Sequence, residues 1–509
     1  MRTAPRSLLL PLAFLLSVPA AFGSGDPPSI FSRVEEFRLD NGMLFLLLPR
    51  HEVPMVSGRV LFRVGNVDNP TGQSGLAHMF EHMAFKGTDR IGTRDFEAEM
   101  MVQDSVARVG AELAREMSAR ERADPERIEA LRAQLAALTD RQMALTVPME
   151  WPRVYDSYTL DFNAYTTEDF TVYEARLPAN NLEVWMLMES ERIQHPIFRE
   201  FYRERDVVIQ ERLEQTEDNP NGMARELLQS LAFTAHPYRQ PTIGYMCDIE
   251  VLTQEQAAAF RETYYVPGNA VAALVGDFDV DEAKRMIRAY FGDIPAGPPP
   301  PEVAVMEPPQ KGMRRGIHRQ GTDRRVLLAF PGFHPHDRRH LAAALLADVL
   351  SRDETSRLDR RLDFEEQAVR SVRASGTAGF HRYAGLFLIE AVPLEAVSNE
   401  RVEALIWEEL ERVVTEPVTQ EKLDEIRRSY RKRYYYSLET NDSIAEALVH
   451  HQAIRGDWRW SYERFDRYDE ITVGDVTALA EELFQPDRAT VVYLEPDAEV
   501  MIAEKGGAR

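Results

Sequence analysis

The segment GLAHMFEHMAFKGT, residues 75–88, places two of the chain's 12 histidines four residues apart. Apolar side chains surround His78 and His82, so the segment is predicted to form a mostly buried helix. Side chains at positions i and i+4 lie on one face of a helix, and the two imidazoles can therefore point at one spot with Glu81 close beside them. This spacing beside a carboxylate favours a metal site over a helix whose histidines are hydrogen-bonded into the core.

The order of these residues, His-x-x-Glu-His, inverts the commoner zinc-binding motif His-Glu-x-x-His. A catalytic zinc usually takes three protein ligands and leaves one position for water, so a third ligand is needed. The segment FYRERDVVIQERLEQTEDNP, residues 201–220, offers Glu204 and Glu211, which are seven residues apart and so share a helix face. Alone, such a segment is most often a solvated, charged helix. Beside the histidine motif, it is the leading source of the missing carboxylate.

The first residues, MRTAPRSLLLPLAFLLSVPAAFGSGD, combine two arginines, an apolar run and small residues. This pattern is typical of a secretory signal peptide, which we place at residues 1–23. The apolar run is short for a membrane span and contains Pro11 and Pro19, so we expect no membrane span after signal cleavage. Cys247 is the only cysteine, so export brings no intrachain disulfide. A bacterial periplasm is the compartment that we expect.

The chain of 509 residues is too long for one ordinary hydrophobic core, and its formal net charge of −23 argues against a nucleic-acid partner. The proline-rich residues 294–312 predict a linker between an N-terminal domain at 30–293 and a C-terminal domain at 313–500. An internal repeat supports two homologous halves. LTQEQAAAFRETYYVPGNAVAALVGD (252–277) aligns without a gap with ITVGDVTALAEELFQPDRATVVYLEP (471–496).

Each copy of the repeat is predicted to form a capped helix, a proline turn and an apolar strand. We therefore expect an α+β fold of two homologous α/β sandwich domains, each with a mixed sheet packed with helices. Only the first domain carries the histidine motif, so we expect no metal site in the second.

Residues 101–147 are predicted to form an antiparallel helical hairpin inserted into the first domain. Two stripes of apolar residues with helical spacing run through the segment, and Asp124-Pro125 between them has the sequence of a helix N-cap followed by its first position. The mixed charges of the hairpin argue against a DNA-binding arm. Packing of the two stripes against each other is enough to explain the hairpin. The functional alternatives are that the hairpin covers the site or contacts a partner.

Several segments resemble the M16 (pitrilysin-like) zinc metallopeptidases, the family that contains mitochondrial processing peptidase and insulin-degrading enzyme. They are LDNGMLFLLLP, VGNVDNPTGQSGLAHMFEHMAFKGT, NAYTTEDFTVYEARLP, RERDVVIQERL and YYVPGNAVAALVGDFD. The resemblance covers most of residues 34–295 and, more weakly, residues 313–497. It implies a half-length, two-domain bacterial member similar to the subunits of mitochondrial processing peptidase.

The resemblance implies that His78, His82 and Glu211 bind one zinc ion per chain and that Glu81 is the general base that activates the zinc-bound water. Glu204 would support the site from nearby. The implied activity is that of a zinc-dependent endopeptidase acting on peptides or unfolded polypeptide segments. A non-catalytic M16-fold structural or binding subunit of a hetero-oligomer is the alternative, and the presence of the whole motif argues against it. A zinc hydrolase for another substrate class is a second alternative.

The NAYT segment resembles the family's edge strand beside the metal, where a substrate peptide adds as an extra strand. The resemblance implies that Asn163 and Ala164 line this strand. The glycine pair that often precedes the asparagine in the family is Asp161-Phe162 in this chain. Backbone pairing of this kind suits a polypeptide substrate.

Self-sufficient relatives carry an arginine and a tyrosine in the second half that grip the substrate, and Asp363 and Arg370 stand at the aligned positions here. An ionised acid cannot donate a hydrogen bond to a substrate carbonyl. We therefore expect a homologous M16 subunit as partner, in a heterodimer that supplies the missing pair, with a homodimer as the alternative.

Overall fold

The computed structural model describes residues 30–376 and 381–497, so the predicted signal peptide at residues 1–23 lies outside the described residues. Helices that could cross a membrane are absent from this part of the chain, because none is both long and apolar enough. Two mixed sheets with helices packed on their faces make up the described residues, which confirms the predicted fold class. The bounds that we assign to the linker and the two domains stay a prediction.

The first sheet contains, within the described residues, β1 (Glu35–Arg38), β2 (Leu44–Pro49), β3 (Met55–Phe62), β4 (Asp161–Thr166), β5 (Thr171–Pro178) and β6 (Ala270–Gly276). Their spatial order is β1-β2-β6-β3-β5-β4. The second sheet contains β7 (Arg314–Arg319), β8 (Arg325–Pro331), β9 (Val369–Ser375), β10 (Leu386–Pro393) and β11 (Thr490–Glu495). Their spatial order is β7-β11-β8-β10-β9.

Helices of the first half are α1 (Leu76–Met83), α2 (Phe96–Ser118), α3 (Pro125–Leu145), α4 (Glu150–Tyr158), α5 (Leu182–Gln194), α6 (Phe201–Arg212), α7 (Pro220–Ala232), α8 (Met246–Ile249), α9 (Gln254–Tyr264) and α10 (Val280–Phe291). Helices of the second half are α11 (Arg338–Leu350), α12 (Asn399–Thr415), α13 (Gln420–Ser437), α14 (Asn441–Arg455), α15 (Trp460–Asp469) and α16 (Val473–Leu483).

The two halves repeat one arrangement, as the sequence repeat predicts. The aligned segments fold into α9 followed by β6 and into α16 followed by β11. β6 pairs in parallel with β2 and antiparallel with β3, and β11 pairs in the same two ways with β7 and β8. The strand order of the second sheet therefore matches that of the first, which has β1 as an additional edge strand.

The residues of strand β2 show that the first sheet is buried on both faces. A turn at Asn41-Gly42 precedes this strand, with Gly42 at a φ of +94° that favours glycine. The apolar residues that follow are fully buried, because both faces of the sheet are covered. One face packs against α1 and α5 of the same half, and the other packs against α14 of the second half.

A helix of the first half, α7, packs in turn on the sheet of the second half. Ala224 and Leu228 on α7 pack against buried residues of β8 and β11, including Leu327 and Val492. Each sheet is therefore partly covered by a helix from the other half of the chain, and the two cores are not independent.

The helices α2 and α3 pack against each other as the predicted hairpin, and the Asp124 side chain caps α3. The helix α2 also belongs to the main core, since Val102 and Val106 are buried in the same cluster as α1. In its first turn, Glu99 forms a buried ion pair of 2.8 Å with Arg199, the residue two positions before α6 begins. The hairpin therefore fixes the position of α6.

Candidate metal centre

The helices α1 and α6 bring the predicted ligands together. His78 and His82 lie one turn apart on α1, with ring centroids separated by 4.7 Å, and Glu211 lies on α6, which packs against α1. Oε2 of Glu211 lies 3.4 Å from Nε2 of His82 and 3.7 Å from Nε2 of His78. One ligand atom from each of the three residues lies within 4.8 Å of the other two.

These separations fit side chains that share one zinc ion. Ligand atoms at roughly 2.0–2.1 Å from a tetrahedral zinc lie roughly 3.3–3.5 Å from one another. Two imidazoles and one carboxylate are also a donor set that zinc accepts in catalytic sites. In residues 30–376 and 381–497 we find this arrangement of histidine, cysteine or acidic side chains once, in the first half.

Glu204 holds His82 from the opposite side of the imidazole. Its Oε1 lies 2.9 Å from Nδ1 of His82, and its other oxygen forms an ion pair with Lys86. Because Glu204 engages Nδ1, the Nε2 atom of His82 faces Glu211. Burial opposes ionisation of Glu204, but the hydrogen bond to His82 and the charge of Lys86 outweigh it and lower the pKa of Glu204.

The two histidines of the site differ in protonation. Burial and the neighbouring His82 lower the pKa of His78 to about 4, so the His78 imidazole is neutral at pH 7. Burial also opposes a charge on His82, but hydrogen bonds to Glu204 and Glu211 outweigh it and raise the pKa of His82 to about 9. The hydrogen bond to His82 also lowers the pKa of Glu211. A protonated His82 therefore joins the two carboxylates at pH 7.

Glu81 is buried, and its Oε2 accepts a hydrogen bond of 2.7 Å from Oγ1 of Thr166 on β4. The Thr166 hydroxyl lies 3.3 Å from that of Thr171, which in turn lies 3.1 Å from the hydroxyl of Tyr265. A chain of hydroxyl groups thus runs from the carboxylate into the core. Burial outweighs the hydrogen bond and raises the pKa of Glu81, as suits a carboxylate that takes up a proton near neutral pH.

The edge strand β4 carries both residues predicted to contact substrate. Successive side chains alternate between the two faces of a strand. Ala164 and Thr166 lie on the face directed toward the core around α1, whereas Asn163 is exposed and lies on the other face. Only Ala164 of the predicted pair therefore shares a face with the residue that contacts Glu81.

The two second-half positions aligned with the family's substrate-gripping pair are exposed. Asp363 lies in a helical segment, Asp359–Glu365, and Arg370 lies on β9, one of the two edge strands of the second sheet. The strand β9 occupies the position in the second sheet that β4 occupies in the first.

Three residues that the sequence did not single out contact the site. Thr166 ends the NAYT segment, and alternation along the strand places it on the face of Ala164. Gln215 donates a hydrogen bond of 2.7 Å to Oε1 of Glu211, four residues earlier in the chain. Lys86, four residues after His82, pairs with Glu204. The spacing of Gln215 from Glu211 is a signal that could have identified it, whereas Lys86 lies beyond the end of α1 and pairs with Glu204 on another helix.

Two family models match the chain. The model of Insulinase (Peptidase family M16) matches residues 46–117 and 150–245, and the model of the Peptidase M16 inactive domain matches residues 252–430. Together they cover well over half of the chain. The first model leaves residues 118–149 unmatched, and this segment contains α3.

Relatives of similar length carry the name zinc protease. Zinc protease PqqE of Helicobacter pylori is 25% identical over 484 residues, which cover 92% of this chain and 94% of that protein. An uncharacterized zinc protease of Rickettsia bellii is 22% identical over 462 residues, which cover 89% of this chain and 96% of that protein.

Solved structures share the fold of the whole molecule. The crystal structure of a protease from Helicobacter pylori superposes with a TM-score of 0.72 at 22% identity, covering 91% of this chain and 99% of that one. The first half of the periplasmic protease PqqL from Escherichia coli superposes with a TM-score of 0.63 at 19% identity, covering 93% of each chain. With both family models matched along its length, the chain belongs to the M16 family of peptidases.

Proposed function

We propose that the protein is a zinc-dependent endopeptidase that hydrolyses peptides or unfolded polypeptide segments. The observation that carries the proposal is the convergence of His78, His82 and Glu211 within 4.8 Å, with the buried carboxylate of Glu81 on the same helix as the histidines. Relatives named zinc proteases support both the metal and the reaction class. We assign one zinc ion per chain to the three ligand side chains.

A zinc ion held by these residues supplies positive charge that polarises the scissile carbonyl and makes water more acidic. Glu81 takes a proton from the attacking water and passes it to the leaving amine. The Thr166 hydroxyl fixes Oε2 of Glu81 and leaves Oε1 for the water. Glu204 holds Nδ1 of His82, so that Nε2 can coordinate the metal.

The position of β4 supports a polypeptide substrate. This strand pairs on one side with β5, and within the described residues its other edge has no neighbouring strand. An extended peptide can add to such an edge through backbone hydrogen bonds, beside the residues that contact Glu81. We assign Asn163 and Ala164 to this contact. Only an extended chain can pair in this way, which favours unfolded segments over folded domains.

A homologous M16 subunit is the partner that we propose, because Asp363 and Arg370 replace the arginine and tyrosine expected from the family resemblance. A heterodimer supplies the missing pair, and a homodimer is the alternative. The signal peptide predicted at residues 1–23 supports export to the periplasm, and one protein of similar structure is named a periplasmic protease.

Removal and restoration of the metal test the proposed function. The purified chain, with and without a homologous subunit, is stripped with a chelator and then given one equivalent of zinc. We expect cleavage of a reduced and alkylated protein to stop on stripping and to return with zinc. A chain that binds zinc but cleaves no polypeptide in either form would support the alternative of a non-catalytic subunit.

A further inference from the structure

A cavity of about 510 Å³ lies between the helical hairpin and α6. The helix α2 contributes Leu113 to its lining, α3 contributes Leu135 and Thr139, and α6 contributes Tyr202 and Arg205. The volume lies within the range of about 300–1,000 Å³ that is usual for ligand pockets. The cavity is therefore large enough for a small molecule.

The cavity is separate from the candidate metal centre. A helix turns by about 100° per residue, so Arg205 and Ile209 in the lining lie on a different face of α6 from Glu204 and Glu211. The described lining contains none of the residues of the metal centre. Its α3 wall belongs to the segment 118–149, which the family model leaves unmatched. This cavity is thus formed partly by a segment outside the matched family pattern.

Arg205 in the lining differs from the other buried arginines in having no acidic partner. The buried arginines of the described residues are Arg59, Arg192, Arg199, Arg205 and Arg212. All of them except Arg205 form an ion pair with a glutamate. Among the described residues, no carboxylate oxygen lies within 4 Å of the nitrogen atoms of Arg205. Since a buried charge without a partner is unfavourable, an anion bound beside Arg205 would stabilise it.

The guanidinium of Arg205 is held in place but keeps most of its donors for a ligand. The side chain is 7% exposed, and the ring of Tyr202 covers the guanidinium at a distance of 5.0 Å. Tyr202 in turn packs on the backbone of Gly110 in α2, where a larger side chain would clash with the ring. Of the five N–H donors of Arg205, Nη1 donates to the Leu252 carbonyl at 3.1 Å, and Nε has no partner among the described residues.

Three carboxylates of the lining complement this cation. Asp140 and Asp206 are exposed, and Glu250 is half-buried. Within the described part of the chain, no basic side chain lies within 4 Å of these three residues. Burial lowers the pKa of Arg205 and outweighs the opposite effect of Asp206 and Glu250, but a guanidinium stays charged at neutral pH. A positive group therefore lies deep in the cavity, with negative groups nearer to solvent.

The other two cations of the lining have contacts outside the cavity. Arg132 pairs with Glu129 at 3.4 Å, and Arg203 contacts the sulfur of Met143. Both arginines are exposed, so solvent also screens their charges. Arg205 is thus the cation that a ligand in the cavity would meet.

We propose that this cavity binds a small zwitterion with an apolar side chain, which is the chemistry of a free apolar amino acid or of a dipeptide. The carboxylate of the ligand pairs with Arg205, and its ammonium group pairs with the acids nearer to solvent. Its side chain packs on the apolar walls formed by Leu135 and Ile209. A second negative group would be repelled by the acids, and a simple cation would be repelled by Arg205. The inference goes beyond the proposed function and does not depend on it.

Calorimetric titration of the purified full chain tests the proposal. The ligands are leucine and leucyl-leucine, with N-acetylleucine and leucinamide as analogues that lack the ammonium group and the carboxylate, respectively. We expect saturable one-to-one binding of leucine or the dipeptide, and the tighter of the two identifies the source of the ligand. Each analogue should bind at least about tenfold more weakly, the order expected from loss of one charge-assisted contact.

Two variants remove the site in different ways. Arg205→Met removes the charge at similar length, and Ala136→Trp fills the cavity from α3 without altering Arg205. Both should weaken binding at least about tenfold. Ala137→Trp is the matched control, because Ala137 is the next residue of α3, is exposed and does not line the cavity. The control should keep the affinity of the unmodified protein.

Circular dichroism and zinc content show whether each variant is folded. If Arg205→Met does not fold, Ala136→Trp and its control still decide. A Kd above about 10 mM for both leucine and the dipeptide would overturn the inference. Binding that Ala136→Trp leaves unchanged, or leucinamide that binds as tightly as leucine, would overturn it as well.

Discussion

His82 lies between two carboxylates, with Glu204 at Nδ1 and Glu211 at Nε2. Among the described residues, Glu211 is the carboxylate that lies within 4 Å of His78, and His78 is neutral at pH 7. In the proposed zinc site, Glu211 is therefore already anionic and His78 already neutral, whereas a proton on His82 competes with the metal.

This competition gives the zinc affinity a defined pH dependence. Below pH 9, His82 is protonated in the metal-free state and must lose one proton when zinc binds. We expect the association constant to rise about tenfold per pH unit from pH 7 up to about 9 and to level off above, as measured with zinc buffers. Glu204→Gln should end the rise at a lower pH, because it removes the hydrogen bond that raises the pKa of His82. An affinity that is constant between pH 7 and 9 would contradict this account.

The separate roles that we propose for the two glutamates of α6, Glu204 and Glu211, can be distinguished by substitution. Glu211→Gln should abolish stoichiometric zinc binding, because it replaces a ligand. Glu204→Gln should retain the metal and, above about pH 9 where protons no longer compete for His82, weaken its binding by about tenfold, the lower end of the effect of residues that orient ligands. The zinc content of both variants is measured after dialysis. Loss of zinc from Glu204→Gln but not from Glu211→Gln would make Glu204 the ligand.

At the scale of elements, helical spacing predicted that two histidines share a face of α1 and that Glu204 and Glu211 share a face of α6. The structure places these two faces beside each other. Contacts between residues of different elements could not be predicted from helical spacing. Thr166 reaches Glu81 because β4 lies beside α1, and Arg199 reaches Glu99 across about 100 residues of sequence. Periodicity indicates which face of an element is buried, but it does not identify the element that covers it.

The beginning of α6 depends on the buried ion pair between Arg199 and Glu99, and removal of one partner of such a pair leaves an uncompensated charge. Glu99→Gln should lower the free energy of unfolding by about 3 kcal/mol. Glu97→Gln, an exposed change in the same turn of α2, should alter it by less than about 0.5 kcal/mol. Denaturant titrations of both variants test this, and equal effects would show that the ion pair does not hold α6.

At the scale of the whole molecule, the repeat in the sequence predicted two similar halves, and the structure shows the same strand order in both. The coverage of each sheet by a helix of the other half was not predictable, because the apolar residues of α7 and α14 indicate that these helices are buried but do not identify the sheet that they cover. Arg382 in the second half adds a polar connection, since it pairs with Asp68 and Asp169 of the first.

Because each sheet is covered partly by the other half, we expect the chain to unfold in one cooperative transition. Calorimetry should give a single peak whose van't Hoff and calorimetric enthalpies agree. Two separate peaks, one for each half, would mean that the contacts of α7 and α14 contribute little to stability.

Substitution of Glu81 tests the central claim most directly, because it separates metal binding from proton transfer. Glu81→Gln keeps the shape of the side chain but cannot take up a proton. Zinc content and peptide cleavage are measured on the same preparation. We predict about one zinc per chain and a loss of kcat of at least about a hundredfold. Loss of the zinc would contradict the assigned role of Glu81, and full cleavage by the zinc-loaded variant would contradict the proposed mechanism.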